Sequence, residues 1–360
     1  GMADIESSKP LGDDSIFRIY SMTKPIASIA LMQLYEQGKF LLEDPVEKFL
    51  PSFKNPVVLL GGSLLNPETR PAQTVMTIRD LLTHTSGLTY GFHFQNNLDQ
   101  MYRDQKLGGP LTEKQGRANV SLEEGIDRLG GLPLLFDPGT AWNYSMSTDV
   151  CGRLIEVIGG CSLDEYLEVN IFKPLGMEDT GFFVPEDKVD RFTSNYILGN
   201  DRFLERIDPA ESSPYLKERL FLSGGGGLIS TTNDFQKFVN MLLNNGAFGE
   251  EQIIGRRTLE LMTMNHLPHG KLLNEVGQST FSETALAGMG FGLGFSVLMD
   301  PAANAGLGTV GEFAWGGAAS TRFWVDPVEK ISCIFMTQFM PSSYYPIRRE
   351  LTTSVYQALK

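Results

Sequence analysis

Apolar residues recur at helical spacing near the start of the chain. From residue 24 to residue 37 they fall three or four positions apart, which places them along one face of a helix. Pro25 is tolerated in a first helical turn, and Gly38 is the type of residue that commonly ends a helix. This pattern predicts a buried helix over 24–37.

Signals for short helices follow as far as about residue 220. Thr77, Ser121 and Ser162 each stand three positions before an acidic residue, an arrangement typical of the N-terminal cap of a helix. Asp44-Pro45 opens a further short helical pattern. We therefore predict that 40–220 consists mostly of short helices and loops.

The last third of the chain changes in character. The ranges 288–298 and 321–340 are rich in aromatic and β-branched residues, and Asp326-Pro327 separates two strand-like runs. Apolar residues then recur at helical spacing: Ile347, Leu351, Val355 and Ala358. The pattern predicts an α+β fold, in which a terminal helix covers an antiparallel sheet and a mostly helical domain occupies the middle of the chain.

Composition limits the classes of partner. The 360 residues include 30 Lys and Arg against 43 Asp and Glu, and the net charge of −13 repels nucleic-acid phosphates and anionic lipid headgroups. No apolar stretch reaches the roughly 20 residues that a membrane-spanning helix needs. We expect a soluble protein that binds neither nucleic acid nor membrane.

The cysteines bear on the compartment. Cys151, Cys161 and Cys333 are odd in number and form no C-x-x-C pair, so the sequence predicts neither a disulfide framework nor a zinc site. A cytoplasmic location is the expectation that follows. A periplasmic or secreted location stays open. Gly1-Met2 has the form of an expression scar, and a leader upstream of it would have been removed.

The histidines and a glycine run carry weaker signals. His266 and His269 flank Pro268, which disrupts a helical metal-ligand pair, so we predict neither a metal nor a cofactor. His84 is interpreted as holding a loop rather than as the base of a Ser-His pair, because no G-x-S-x-G motif is present. The glycines at 224–227 do not match a phosphate-binding loop and are interpreted as a closely packed connection between domains.

Ser21 and Lys24 form the strongest candidate for chemistry. Ser21 is the only serine with a lysine three positions later, and that spacing on a helix places hydroxyl and amine on one face. Burial would lower the lysine pKa and let the amine accept the serine proton, while the helix N-terminus would stabilise developing negative charge. The motif alone fits an ordinary serine beside a solvated lysine equally well.

Two later segments supply further candidates. Tyr144 is expected to lie exposed just before a helix, where a cationic lysine would stabilise its phenolate for proton transfer. A packed aromatic residue is the alternative. The glycines of Trp315-Gly316-Gly317-Ala318 would let a strand approach a ligand so that a backbone N–H faces the substrate carbonyl, or they mark a β-bulge.

Together these segments resemble the serine β-lactamase and penicillin-binding superfamily, in particular its class C β-lactamase-like branch with family VIII carboxylesterases and acyltransferases. The resemblance covers nearly the whole chain, and four segments carry it in the family order. They are Phe17-Arg18-Ile19-Tyr20-Ser21-Met22-Thr23-Lys24-Pro25, Leu81-Leu82-Thr83-His84-Thr85-Ser86-Gly87-Leu88, Tyr144-Ser145 with Ser147-Thr148-Asp149-Val150, and 223–231.

The resemblance implies a β-lactamase/transpeptidase-like fold with the active site in a cleft between two domains. The α/β sheet domain would comprise 1–20 and 222–360, and the mostly helical domain 21–221. Ser21 would be the acylated nucleophile, with Lys24 and Tyr144 as the proton-transfer pair. The oxyanion hole would consist of the backbone N–H groups of Ser21 and Ala318, the latter on the strand after Gly317.

Departures from the family pattern bear on the substrate. Trp315 stands where the family usually has a lysine that attracts a carboxylate, and Met146 replaces an asparagine that contacts the acyl amide. With Gly316 and Gly317, they are the expected substrate-binding residues. Both changes favour neutral esters with small or medium acyl groups. The alternatives are a β-lactamase, a D,D-peptidase or an acyltransferase with the same machinery, or a non-catalytic binding or sensing protein.

The N-terminus also departs from the family. A helix and one or two strands usually precede the nucleophile, and only 20 residues do so here. N-terminal strands are therefore expected to be missing, and 2–6 is interpreted as the end of the second strand. An exposed sheet edge would favour a homodimer. The expected partners are a small-molecule ester or lactam substrate and a second copy of the chain.

Overall fold

The computed structural model describes residues 1–107, 120–199 and 203–360. The helices are α1 (Thr23–Glu36), α2 (Ile78–Leu82), α3 (Asn97–Asp104), α4 (Leu122–Gly130), α5 (Ser147–Gly159), α6 (Leu163–Leu167), α7 (Lys173–Leu175), α8 (Thr232–Leu243), α9 (Arg256–Met262), α10 (Leu273–Val276), α11 (Pro301–Asn304) and α12 (Ile347–Tyr356). Single stretches of 3₁₀ helix lie at Tyr20–Met22, Val46–Lys48, Pro51–Phe53, Gly91–His93, Glu186–Arg191, Ala210–Ser212, Pro214–Leu216 and Pro268–Gly270, and a π-helical turn at Glu168–Phe172.

The strands are mostly short. They are β1 (Met2–Asp4), β2 (Lys9–Pro10), β3 (Ile16–Arg18), β4 (Val57–Gly62), β5 (Pro67–Pro71), β6 (Asn195–Leu198), β7 (Leu204–Asp208), β8 (Ile229–Thr231), β9 (Ala247–Phe248), β10 (Glu251–Gln252), β11 (Met289–Phe291), β12 (Ser296–Leu298), β13 (Phe313–Gly316), β14 (Arg322–Asp326), β15 (Ile331–Phe335) and β16 (Phe339–Met340).

Helix α1 confirms the buried helix predicted near the start of the chain. It has Pro25 in its first turn, and Gly38 follows its end with a φ of +70°. The helix is buried over most of its length and packs against α5 in the main apolar core. Of the described helices, none combines the length and the apolar character that crossing a membrane requires.

The main sheet confirms the predicted antiparallel arrangement. Within the described residues it has five strands in the order β11-β12-β13-β14-β15. Neighbouring residues of β14 point to opposite faces, so Phe323 packs on Phe235 of α8, whereas Trp324 packs with Tyr356 of α12. The terminal helix therefore covers one face of the sheet, as its apolar spacing predicts.

The middle of the chain contains more strands than predicted. Strands β4 and β5 form a hairpin, and β16-β6-β7 form a small sheet. Thr77 makes the predicted capping box and Ser121 accepts its capping bond, but the Ser162 side chain does not cap α6. Of the predicted region 40–220, residues 108–119 and 200–202 lie outside the described residues.

The N-terminal residues form a hairpin away from the main sheet. Strand β1 pairs with β2, so residues 2–4 are a strand, although not one of the five-stranded sheet. The Asp4 carboxylate accepts a hydrogen bond from Ser194 at 2.6 Å and pairs with Arg206 at 2.8 Å. These contacts anchor the hairpin on the small sheet. The division of the chain into a sheet domain and a helical domain stays a prediction.

Strand β3 leads directly into the candidate site. Its last residue, Arg18, is fully buried, and its charge is compensated by an ion pair with Asp208 at 2.6 Å and a hydrogen bond to the Thr193 carbonyl at 2.6 Å. The guanidinium also lies 4.0 Å from the ring centroid of Phe192. These contacts hold the backbone three residues before Ser21.

Candidate active site

The side chains of Ser21, Lys24 and Tyr144 meet at one point. Ser21 lies in the 3₁₀ turn that runs into α1, so Lys24 follows one turn later on the same face. Lys24 Nζ lies 3.3 Å from Ser21 Oγ, and the Tyr144 hydroxyl donates to the same oxygen at 2.5 Å. Sequence spacing predicts the first contact, whereas the second joins residues 123 positions apart.

Tyr144 is enclosed rather than exposed, so the prediction of an exposed tyrosine was wrong. Its side chain is 1% exposed, because the rings of Trp142, His84 and Tyr90 surround it. His93 Nε2 donates to the Tyr144 carbonyl at 2.7 Å. The aromatic shell and this backbone contact hold the phenol in place before α5.

Burial changes the acid-base properties of Lys24. The residue is 1% exposed, and its Nζ donates to the Gly225 carbonyl at 2.7 Å. Loss of solvation lowers the Lys24 pKa to about 7, although the carboxylates of Asp149 and Glu283 act in the opposite direction. A large share of the amine is therefore neutral at pH 7.

Burial acts on Tyr144 in the other direction. It raises the pKa of the phenol well above its usual range, and the charge of Glu283 adds to this shift. The expectation that Lys24 stabilises a phenolate was therefore wrong, because desolvation of the buried side chain favours the neutral phenol. The phenol stays protonated, which suits it to donate to Ser21.

The glycine run at 224–227 is packed closely, as predicted. A β-carbon on Gly225 would lie 2.4 Å from an Asp149 carboxylate oxygen, and one on Gly224 would lie 2.7 Å from the Thr148 carbonyl. The Gly225 N–H donates to Asp149 at 3.1 Å while its carbonyl accepts from Lys24. Sequence reasoning missed this role, since a backbone carbonyl leaves no side-chain signal.

Strand β13 lies beside the cluster of Ser21, Lys24 and Tyr144. The rings of Trp315 and Tyr144 have centroids 5.5 Å apart, and the indole is buried. A β-carbon on Gly317 would lie 2.4 Å from the carbonyl oxygen of Ile19. The glycine thus lets the end of this segment touch the backbone two residues before Ser21.

Ala318 lies in the turn between β13 and β14, which corrects its predicted place on a strand. The strand ends at Gly316, and the Gly317 N–H donates to the Thr321 carbonyl at 2.9 Å. This bond closes the turn. Regular pairing between β13 and β14 ends at Gly316, so the backbone that follows, including Ala318, is free to turn.

The remaining candidate residues, Met146, His84 and His266, lie in packed or hydrogen-bonded positions. Met146 is buried in the main core just before α5. His84 contacts Ser145 Oγ at 3.1 Å, which supports its interpretation as a residue that holds a loop. His266 contacts Arg79 at 2.8 Å. Among the residues with described positions, no group of three or more His, Cys, Asp or Glu is arranged to hold a metal ion.

Comparison with known proteins identifies the family. A family model for beta-lactamases matches residues 1–357. The chain belongs to the beta-lactamase family. Esterase EstB from Burkholderia gladioli is 28% identical over 373 residues, with 100% of this chain and 86% of EstB covered. Protein Rv1367c from Mycobacterium tuberculosis is 33% identical over 347 residues, with 95% and 82% covered.

A solved structure has a similar architecture. It is EstCE1, described as a hydrolase with promiscuous acyltransferase activity, with a TM-score of 0.80 at 27% identity over 99% of this chain and 88% of EstCE1. These matches confirm the family resemblance and the α+β fold. The proteins that resemble this chain thus include an esterase and a hydrolase with acyltransferase activity.

In this beta-lactamase family member, sequence reasoning missed Arg348 and Glu283. Arg348 Nη2, on α12, donates to the carbonyls of Gly317 at 2.9 Å and Thr321 at 2.8 Å. It also pairs with the buried Glu283 carboxylate at 2.7 Å. A β-carbon on Gly316 would lie 2.6 Å from Nη2, so this glycine makes room for the guanidinium.

Proposed function

We propose that this protein is a serine hydrolase that forms an acyl-enzyme at Ser21 and acts as a carboxylesterase on neutral esters with small or medium acyl groups. The observation that carries the proposal is the convergence on Ser21 Oγ of the Tyr144 hydroxyl at 2.5 Å and Lys24 Nζ at 3.3 Å. Ser21 is only half-buried while its two partners are buried, so a substrate carbonyl can approach its oxygen.

The proposed reaction begins with proton removal from Ser21. Neutral Lys24 accepts this proton, directly or through the Tyr144 phenol, as Oγ bonds to the carbonyl carbon. The backbone N–H groups of Ser21 and Ala318 stabilise the oxyanion. The Lys24 ammonium then returns the proton to the leaving alkoxide, the alcohol departs, and the acyl group remains on Ser21.

Deacylation repeats these steps with water as the nucleophile. Lys24 takes a proton from the water as its oxygen bonds to the acyl carbon, and the new oxyanion occupies the same position. The proton passes to Ser21 Oγ as the ester bond breaks, which releases the carboxylic acid and restores the enzyme.

The charges around the site support a neutral substrate. Asp149 and Glu283 both act electrostatically on Lys24. The positive charge of Arg348 is compensated by Glu283, and Trp315 presents an indole rather than a cation. The Asp149 carboxylate would repel an anionic substrate, so we expect simple esters to react faster than carboxylate-bearing lactams.

Acyl transfer to an alcohol is the second candidate, supported by the similarity to EstCE1, which is described as a hydrolase with promiscuous acyltransferase activity. The first half of the reaction is identical, and an alcohol replaces water in the second. Adding butanol during turnover of p-nitrophenyl butyrate separates the two, because transfer yields butyl butyrate and hydrolysis yields butyrate.

Mass spectrometry tests the acyl-enzyme directly. Quenching the protein during turnover of p-nitrophenyl butyrate should leave one butyryl group on the peptide that contains Ser21. Ser21→Ala should lose both this label and the p-nitrophenol burst. Ser28→Ala is the matched control, since Ser28 is a buried serine of α1 whose hydroxyl has no hydrogen-bond partner among the described residues.

The outcomes separate the proposal from its alternatives. Equal rates for the wild-type protein and Ser21→Ala would rule out the proposed nucleophile. Failure of a fluorophosphonate probe to label Ser21 would favour a non-catalytic binding protein. Turnover of nitrocefin faster than that of the butyrate ester would favour a β-lactamase.

A further inference from the structure

We propose that Arg348 is a positioning residue that orients and polarises the Ala318 N–H, the oxyanion donor of the proposed reaction. The inference rests on the proposed function, because it concerns the group that would bind the substrate oxygen. The carrying observation is that the Arg348 guanidinium donates to the Gly317 carbonyl at 2.9 Å. This carbonyl and the Ala318 N–H belong to the same peptide unit.

Peptide geometry links the two groups. A trans peptide is planar, so its C=O and N–H point in opposite directions. Successive side-chain directions along an extended segment also alternate. A β-carbon on Gly316 would point at Arg348, 2.6 Å from Nη2, whereas one on Gly317 would lie 2.3 Å from Thr321 Oγ1 and 2.4 Å from the Ile19 carbonyl oxygen. Arg348 and the segment that carries Ser21 therefore lie on opposite faces.

Because the Gly317 carbonyl points toward Arg348, the Ala318 N–H of the same peptide points toward the Ser21 side. Arg348 also donates to the Thr321 carbonyl at 2.8 Å, and the Gly317 N–H donates to the same carbonyl at 2.9 Å. The turn between β13 and β14 is consequently held at both ends. A cation bonded to the Gly317 oxygen also strengthens the dipole of that peptide, which makes its N–H a better donor.

Glu283 fixes the guanidinium in this place. Its buried carboxylate accepts from Arg348 Nη2 at 2.7 Å, its backbone carbonyl accepts from Nη1 at 3.1 Å, and Ser342 donates to the same carboxylate at 3.2 Å. A guanidinium presents several donors in a rigid plane, whereas a lysine ammonium is a compact group that does not reproduce this fork. Lysine is therefore a poor substitute here.

The test compares two neighbouring arginines on α12. Arg348→Met and Arg348→Lys should lower kcat for p-nitrophenyl butyrate by about 10- to 100-fold, the usual effect of removing a group that orients a reacting one, with KM within about twofold. Arg349→Met is the matched control, because Arg349 is exposed and its guanidinium makes a long contact to the Ala305 carbonyl at 3.5 Å. It removes the same charge and should leave both constants unchanged.

A transition-state analogue reports on the oxyanion donor itself. Butylboronic acid forms a tetrahedral adduct with a serine oxygen, and one boronate oxygen occupies the oxyanion position. Its inhibition constant should rise in Arg348→Met by the same factor by which kcat falls, and should not change in Arg349→Met. A purely structural loss would reduce the active fraction without weakening boronate binding to the remainder.

A second variant covers the case in which Arg348→Met does not fold. Gly316→Ala keeps the arginine but displaces its guanidinium, and it should raise the boronate inhibition constant in the same way. Unchanged boronate binding in folded Arg348→Met or in Gly316→Ala would overturn the inference while acylation of Ser21 still stands. Absence of a Ser21 acyl group in the wild-type protein would instead remove the proposed function, and the inference with it.

Discussion

The α-carbon of Gly317 lies against the backbone carbonyl of Ile19, so closely that a β-carbon on Gly317 would be 2.4 Å from that oxygen. The Ile19 backbone is held in turn, since its N–H donates to the Leu228 carbonyl at 3.1 Å. The same β-carbon would lie 2.3 Å from Thr321 Oγ1, so the approach of β13 to the Ser21 segment and the turn that follows β13 both depend on the absence of one methyl group.

Gly317→Ala tests this contact. The added methyl group should force the two backbones apart, destabilise the fold by about 1–3 kcal/mol and lower kcat by about tenfold or more. Gly131→Ala is the control, because a β-carbon there would be 3.5 Å from the Arg128 carbonyl, an ordinary contact. Urea unfolding and ester kinetics measure the two effects, and wild-type activity in Gly317→Ala would contradict the prediction.

Tyr144→Phe removes the hydroxyl that donates to Ser21. We expect kcat to fall by about 100-fold or more, because a positioned proton-transfer group contributes about 10²–10⁴ in rate. Tyr166→Phe is the matched control, since Tyr166 is buried and its hydroxyl has no hydrogen-bond partner in the described part of the chain. Similar losses in both variants would mean that the phenol at 144 has no special role.

The pH dependence of the wild-type protein tests the role of Lys24. Burial lowers the Lys24 pKa to about 7, and only the neutral amine accepts a proton. The kcat/KM for an uncharged ester should therefore be constant above pH 7 and fall about tenfold per unit below it. Steady-state rates between pH 5 and 9 measure this, and a constant rate down to pH 5 would exclude Lys24 as the base.

Asp149→Asn should lower the pH at which kcat/KM begins to fall. The Asp149 carboxylate raises the Lys24 pKa against the larger effect of burial, so removal of its charge lowers that pKa further. The asparagine oxygen still accepts from the Gly225 N–H. Asp164→Asn is the control, because Asp164 is exposed on α6. A shift toward higher pH would contradict the predicted direction.

A pair of acyl esters tests the preference for neutral substrates. The kcat/KM for p-nitrophenyl butyrate should exceed that for the p-nitrophenyl monoester of succinate by about tenfold or more, because the Asp149 carboxylate opposes a substrate carboxylate near Lys24. Methyl p-nitrophenyl succinate controls for acyl size. A faster reaction of the anionic ester would show that a cation binds it.

Local patterns account for the parts that were predicted correctly. The helix α1, the spacing of Ser21 and Lys24, and the apolar stripe of α12 all depend on residues a few positions apart. Helical geometry alone brings such residues onto one face. The hairpin of β4 and β5 was missed, because its second strand, PETRP, has no apolar alternation.

The environment of the site was predicted less well. The predictions of an exposed Tyr144 and a stabilised phenolate were wrong, because the burial of this side chain depends partly on the rings of His84 and Tyr90, which lie more than 50 positions away in the sequence. The prediction that Ala318 lies on a strand was also wrong. The strand ends where its pairing with β14 ends, and the local sequence does not show that point. The roles of Ser21, Lys24, Tyr144 and Ala318 in catalysis stay predictions.

The resemblance of four segments in their chain order indicated the family and its fold, and short-range helical geometry indicated the serine-lysine pair. The acid-base state of that pair depended on folding, because desolvation arises only when distant segments close around Lys24. The same holds for the Gly225 carbonyl and for Arg348 behind Gly317. Backbone contacts between remote residues leave no periodic trace along the chain, so only the packed structure reveals them.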